Sequence, residues 1–99
     1  MTTERQEALK KFEPALKQLG DAQTEIEYIA AIEGVKNEIQ KWQHPIGREI
    51  EIAESYKELI NQLTDYSHRR LKGETKEQLT NEILTISFLI NGLYGLYHP

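Results

Sequence analysis

A chain of 99 residues forms a single domain over residues 1–99, because two separate cores would each be too small to offset chain entropy. Hydrophobic residues make up 38% and charged residues 28%, which is typical of a globular protein, and the absence of cysteine excludes a disulfide framework and a thiolate nucleophile. The net charge of −4 argues against nucleic acid as a partner, because phosphate binding needs a basic face.

The first predicted helix begins at Thr3, which forms a capping box with Gln6. Apolar residues then follow at three- or four-residue steps, so they fall on one helical face. Pro14 interrupts this pattern and should either kink the helix or restart it after Phe12, because proline removes a backbone donor. Gly20 is the expected end of this helix.

The second and third predicted helices are separated by Pro45. Thr24 and Glu27 form another capping box, and one apolar stripe follows them. The stripe consists of Ile26, Ile29, Ile32, Val35, Ile39 and Trp42. Because Pro45 disfavours the α conformation in the residue before it, the helix should end near Trp42 or Gln43. The third helix is expected to run from about Ile46 to Leu71.

The fourth predicted helix begins with a third capping box, formed by Thr75 and Gln78, and it is the most apolar of the four. Gly92 is the expected stop, which leaves residues 93–99 as an apolar tail. A loose apolar tail invites aggregation and proteolysis, so we expect it to pack on the bundle. Truncation after Asn91 is then expected to leave most of the helicity intact.

The connections between the predicted helices are short. A short connection cannot carry the chain back to the starting end, so neighbouring helices should run in opposite directions. The sequence therefore predicts an all-α protein: an antiparallel up-down four-helix bundle with a C-terminal tail packed on the bundle.

Residues with catalytic or metal-binding chemistry are scattered along the chain. The histidines at 44, 68 and 98 lie in three different segments. Asp65 and His68 are spaced to share a metal on one helix face, but the Glu-x-x-His motifs of a di-metal bundle are absent from the sequence. We predict no catalytic, cofactor-binding or metal-binding residue, and the protein is not expected to be an enzyme.

Basic residues cluster at the end of the third predicted helix, at Arg69, Arg70 and Lys72. Cations at a helix C-terminus interact favourably with the helix dipole, which is the structural explanation. The functional alternative is a contact with anionic lipid head groups or with an acidic protein loop. Both interpretations stay open at this point.

The predicted tail contains Leu93, Tyr94, Leu96 and Tyr97. These side chains either fill a groove of the bundle or serve as anchors for a partner, since tyrosine buries a large area and still satisfies its hydroxyl. No apolar run reaches the roughly 18 to 20 residues that cross a bilayer. We therefore expect a cytoplasmic protein, with peripheral contact at the inner face of the cell membrane.

The run from Ile90 to Tyr94 reads isoleucine, asparagine, glycine, leucine, tyrosine. At the end of the last helix of a small acidic helical protein, this run resembles the immunity proteins for pediocin-like (class IIa) bacteriocins, of the enterocin A immunity type. The layout of four helices and an aromatic tail is also similar over nearly the whole chain. Two departures are Pro14 within the first helix and the end of the tail at Pro99.

The resemblance implies a cytoplasmic protein that protects a lactic acid bacterium from its own pore-forming peptide. Such proteins act on the complex of the bacteriocin with its receptor, the membrane components of the mannose phosphotransferase permease, and they are not enzymes. Partner recognition would then fall on the third-to-fourth helix hairpin and the tail. The expected recognition residues are Arg69, Arg70, Lys72, Leu93, Tyr94, Leu96 and Tyr97. A monomer is expected, and the alternative function is a generic helical adaptor or antitoxin-like module.

Overall fold

The computed structural model describes residues 3–98, which form five α-helices and no strand. The helices are α1 (Glu4–Lys10), α2 (Glu13–Asp21), α3 (Glu25–Gln40), α4 (Glu49–Leu71) and α5 (Thr80–Tyr97). α4 packs against α5 and α3, α2 packs against α3, and α1 touches α5. The result is a globule with a radius of gyration of 13.7 Å, and the predicted all-helical fold class is confirmed.

The first predicted helix is two helices in the structure. α1 begins with the expected capping box, in which the Gln6 N–H donates to Thr3 Oγ1. It ends before Phe12, which is the residue that precedes α2. Pro14 lies in the first turn of α2, where its missing N–H would have no helical partner in any case. The restart is therefore the correct alternative, and it leaves the Phe12 side chain only 1% exposed in the core.

The predicted stop at Gly20 is wrong, because α2 continues to Asp21. The chain leaves the helix at Ala22, which is extended and buried. The carbonyl oxygen of Ala22 accepts a hydrogen bond of 2.8 Å from the Tyr28 hydroxyl, so a side chain of the next helix stabilises the end of α2. Gly20 instead lets the stem of Lys76 approach, since a Cβ there would lie 3.1 Å from Lys76 Cε.

The predicted stripe of α3 is correct only in its second half. The buried side chains of this helix are Tyr28, Ala31, Val35 and Ile39. Ile26 is 79% exposed and Ile29 is 53% exposed. Only one face of α3 can pack on the bundle, and the buried face is the one that carries Tyr28. The Tyr28 ring is larger than an isoleucine side chain, and its hydroxyl has a hydrogen-bond partner. The two isoleucines are consequently left on the solvent side.

α4 begins at Glu49, three residues after the predicted start. Gly47 has a φ of +90°, a conformation that favours glycine, and it turns the chain before the helix. The Gly47 N–H donates to Glu49 Oε1 at 3.1 Å, so the first residue of α4 stabilises that turn. The helix ends at Leu71, as predicted.

α5 differs from the prediction at both ends. The capping box of Thr75 and Gln78 forms, but it closes a turn, and the regular helix begins at Thr80. The helix passes Gly92 and ends at Tyr97, so the predicted tail is wrong: residues 93–97 are helical. The buried side chains of α5 are Ile86, Ile90, Leu93, Tyr94 and Tyr97. Continued burial on one face outweighs the cost of two helical glycines, about 1 kcal/mol each.

Candidate functional site

The aromatic cluster consists of Phe12, Trp42, His44, Tyr94, Tyr97 and His98. The half-buried indole of Trp42 is its centre, with ring centroids 5.6 Å from Phe12, 5.5 Å from Tyr94 and 5.2 Å from Tyr97, all edge-on. Edge-to-face pairs are favourable because the positive ring edge meets the negative ring face. The cluster joins the start of α2, the end of α3 and the end of α5.

A cation completes this cluster. The guanidinium of Arg5 lies 5.2 Å from the ring centroid of Tyr94, in a cation–π contact. A Cβ at Gly95 would lie 3.1 Å from Arg5 Nη2, so a glycine at this position leaves room for the arginine. On another side, the His98 ring stacks on Tyr94 at 4.1 Å, and its Nδ1–H donates to the Tyr94 carbonyl oxygen at 3.0 Å. Tyr94 is therefore fixed by several neighbours at once.

The predicted tail residues are largely inside the protein. The exposed fractions are 0% for Leu93, 8% for Tyr94 and 7% for Tyr97, while Leu96 is half-buried. These side chains pack on the bundle, but they belong to the last turns of α5 and not to a separate tail. In this conformation most of their surface is already covered by the chain itself.

The His44 cleft opens beside the aromatic cluster and has a volume of about 400 Å³. Its polar and aromatic lining residues are Gln40, His44, Glu49, Tyr56 and Tyr97. Ile39, Ile52 and Ala53 supply its apolar wall. His44 lies 5.1 Å from Tyr97 between ring centroids, so the aromatic cluster and the cleft share two side chains.

Two groups in the His44 cleft have shifted pKa values. Backbone N–H groups of Glu49 itself and of Gly47 donate to the Glu49 carboxylate and lower its pKa, and His44 adds a smaller electrostatic contribution. Burial raises the pKa of Tyr97, and the neighbouring Tyr56 adds to that rise. At neutral pH the cleft therefore presents the Glu49 carboxylate beside the neutral phenol of Tyr97.

The ionic cluster at the far end of α4 consists of Asp65, Arg69, Glu74 and Glu82. Arg69 binds Glu74 through two hydrogen bonds, Nε to Oε2 at 2.7 Å and Nη2 to Oε1 at 2.9 Å. Its Nη1 also donates to Glu82 Oε1 at 3.0 Å, which links α4 to α5. The paired guanidinium lowers the pKa of Glu74, and the carboxylates raise the pKa of Arg69.

The other two predicted basic recognition residues differ in their surroundings. Arg70 donates to the carbonyl oxygen of Glu74 at 3.0 Å and is half-buried. Burial raises the pKa of Tyr66 in the core, and the charge of Arg70 opposes that rise. Lys72 is exposed just after α4. Arg69 and Arg70 thus serve internal contacts, whereas Lys72 lies at the surface.

Sequence reasoning missed an apolar strip on the outer face of α5. Leu84 is 62% exposed and Phe88 is 76% exposed. They lie one helical turn apart, and the exposed Asn91 and Gly92 continue the same face. The signal was present in the sequence: the α5 pattern is apolar on more than one face, and only one face can be buried against neighbours.

Within residues 3–98, no three histidine or carboxylate side chains come together as potential metal ligands. In the same part of the chain, no helix combines the length and apolar character that a membrane span requires. Comparison with protein-family models, curated proteins and solved structures finds no match.

Proposed function

We propose that this protein is an immunity protein that protects a bacterial cell from a pediocin-like pore-forming bacteriocin. The observation that carries the proposal is the Ile-Asn-Gly-Leu-Tyr run at residues 90–94, in the last helix of a small all-helical chain. In this proposal the protein acts from the cytoplasm on the bacteriocin bound to the membrane components of the mannose phosphotransferase permease.

The two faces of this run support a division of roles. Ile90 and Leu93 are buried and Tyr94 joins the aromatic cluster, whereas Asn91 and Gly92 are exposed beside Phe88. The buried face holds the end of α5 on the bundle. The outer strip of Leu84, Phe88 and Asn91 is free to meet a partner, and a large exposed aromatic side chain is a favourable anchor.

The predicted recognition residues enter this proposal in two ways. Leu93, Tyr94 and Tyr97 act by fixing the last turns of α5, and Arg69 and Arg70 act by fixing the start of α5 on α4. Lys72 and Leu96 retain surface that a partner can contact. The recognition surface therefore extends from the predicted residues to the outer strip of α5.

An antiparallel up-down order of the helices is part of the same proposal. Glu49 at the start of α4 and Tyr97 at the end of α5 line one cleft. At the opposite ends of the two helices, Arg69 pairs with Glu82. These contacts support opposite directions for α4 and α5. They also support a hairpin that presents the outer strip along its length.

The test is expression of the chain in a strain that is sensitive to pediocin-like bacteriocins, across a panel of these peptides. We expect protection against at least one peptide, measured as a rise in the inhibitory concentration. Phe88→Ala should lower that protection by about tenfold, since a central aromatic anchor contributes 1.4 kcal/mol or more to binding. Ile26→Ala is the matched control, because Ile26 is 79% exposed on α3 and Phe88 is 76% exposed on α5.

Both variants should keep the melting temperature of the wild type, since neither side chain is buried. Unchanged killing by every peptide of the panel would refute the immunity function. Equal loss of protection in the two variants would refute the outer strip as the recognition surface. If killing is unchanged but the chain captures a protein from cytosol rather than from detergent-solubilised membranes, the adaptor function becomes the better explanation.

A further inference from the structure

We infer that the His44 cleft binds the side chain of a lysine or arginine presented by a partner polypeptide. The cleft combines aromatic side chains, one glutamate and an aliphatic wall within about 400 Å³. This volume lies at the small end of the range for ligand pockets, about 300 to 1,000 Å³. It suits one long side chain better than a large ligand.

The aromatic lining favours a cation. Tyr56 and Tyr97 lie on the cleft together with the imidazole of His44. The negative ring face of an aromatic side chain attracts ammonium and guanidinium groups, and the attraction grows as the cation is desolvated. Tyr97 is 7% exposed and is held against Trp42, so its ring is already in place before a ligand arrives. A preorganised ring reduces the entropy that binding would cost.

The charge of the cleft has the complementary sign. Glu49 supplies a carboxylate, and its Oε1 accepts the Gly47 N–H at 3.1 Å, which restrains the group at the cleft wall. The nearest arginine in sequence, Arg48, lies 4.0 Å from Glu51 in an ion pair rather than on the cleft. The amide of Gln40 adds a neutral hydrogen-bonding group. A cation in the cleft would therefore meet Glu49 as its counter-ion.

The apolar wall accounts for the rest of a basic side chain. Ile39, Ile52 and Ala53 line the cleft beside the polar groups. Lysine and arginine carry three or four methylene groups below the charge, and these stems bury well along apolar surface. A small inorganic cation would leave this wall without a role. The inference is independent of the immunity function, because any partner with an exposed basic side chain could use the cleft.

The experiment is an NMR titration of the full-length chain at pH 8 with three small probes. The probes are N-acetyl-lysine methylamide, N-acetyl-arginine methylamide and the uncharged N-acetyl-norleucine methylamide. We expect saturable shifts at Gln40, His44, Tyr56 and Tyr97 with a charged probe, and at least about tenfold weaker binding of the norleucine probe. The difference between the lysine and arginine probes identifies the preferred cation.

Two pairs of variants complete the test. Glu49→Gln should weaken binding of the charged probe by about threefold or more. Glu58→Gln makes the same charge change at an exposed site on α4 and should bind the charged probe as tightly as the wild type does. Tyr56→Phe should keep binding because the ring remains, and Tyr56→Leu should weaken it. Equal binding of norleucine and lysine, equal effects of the two glutamate variants, or no saturable shift with any probe would overturn the inference.

Discussion

The two ends of α4 are stabilised by different physical means. The aromatic cluster and the His44 cleft lie near its first residues, and the ionic cluster lies about 30 Å away, at 1.5 Å for each of the 20 residues from Glu49 to Arg69. At the first end, Phe12, Tyr94 and Tyr97 pack around the half-buried Trp42, and these three side chains are 1%, 8% and 7% exposed. At the second end, Arg69 and Glu74 keep side-chain exposures of 35% and 39%.

This difference shows where stability resides in the bundle. Apolar burial contributes about 25 cal/mol for each Å² removed from water, and salt does not screen it as it screens charges. Exposed ion pairs contribute little, because water and salt screen them and ordering two long side chains costs entropy. The aromatic cluster should therefore dominate stability. The ionic cluster mainly fixes how α5 begins on α4.

The largest effect is expected from truncation after Asn91. The deletion removes the buried side chains of Leu93, Tyr94 and Tyr97. Their loss should cost about 8 kcal/mol or more, which is within the range of the whole free energy of unfolding of a small domain. Far-ultraviolet circular dichroism should show loss of most helicity, contrary to the expectation for a separate tail. Truncation after Tyr97 is the control, and a fully helical Asn91 truncant would contradict the structure.

Trp42→Ala should have the next largest effect. Removing the central ring of the aromatic cluster should lower the free energy of unfolding by about 3 kcal/mol. This value is at the low end of the range for replacing a large aromatic side chain by alanine, because Trp42 is only half-buried. Urea denaturation followed by circular dichroism measures the loss, and it should be the same in low and high salt. Trp42→Phe should retain more stability, and a loss that disappears at high salt would argue against packing as the cause.

Arg69→Ala should cause a smaller loss, of a few degrees in melting temperature. The variant removes both hydrogen bonds to Glu74 and the one to Glu82. Unlike the loss in Trp42→Ala, this loss should shrink as salt rises, because the charges are partly exposed to solvent. Arg69→Lys keeps the charge but cannot form both hydrogen bonds to the Glu74 carboxylate. Its melting temperature should therefore lie between those of the wild type and Arg69→Ala. A loss of stability as large as that of Trp42→Ala would contradict the conclusion that the aromatic cluster contributes more to stability than the ionic cluster.

The smallest effect is a pH dependence that comes from Glu74. Its pKa is lowered from 4.5 in the folded protein, chiefly by hydrogen bonding to Arg69, so its contribution to stability is present above the unfolded pKa. That contribution is lost as pH falls through the folded pKa. The melting temperature of the wild type should exceed that of Glu74→Gln at pH 7, and the difference should shrink below about pH 4. In an Arg69→Ala background, Glu74→Gln should show no such narrowing, because the hydrogen-bond donor to Glu74 is gone.

The candidate site could be predicted only in part. The sequence alone identifies residues 90–94, near the end of α5, as the run that resembles the immunity proteins. The outer strip was missed because Leu84 and Phe88 look like core residues in a helix that is apolar on several faces. The His44 cleft was also missed, since it joins Gln40 of α3, Glu49 of α4 and Tyr97 of α5, which are far apart in the chain.

Local chemistry in the sequence determined the caps of α1 and α3 and the turn before α5, because Thr3, Thr24 and Thr75 satisfy backbone N–H groups within three residues of themselves. The restart at Pro14 was one of two local alternatives, and burial of Phe12 accompanies the one observed. Only the tertiary structure decided which face of α3 turned inward and that α5 ran through Gly92 to Tyr97. Both depend on how much apolar surface distant segments cover together, and no local pattern encodes that quantity.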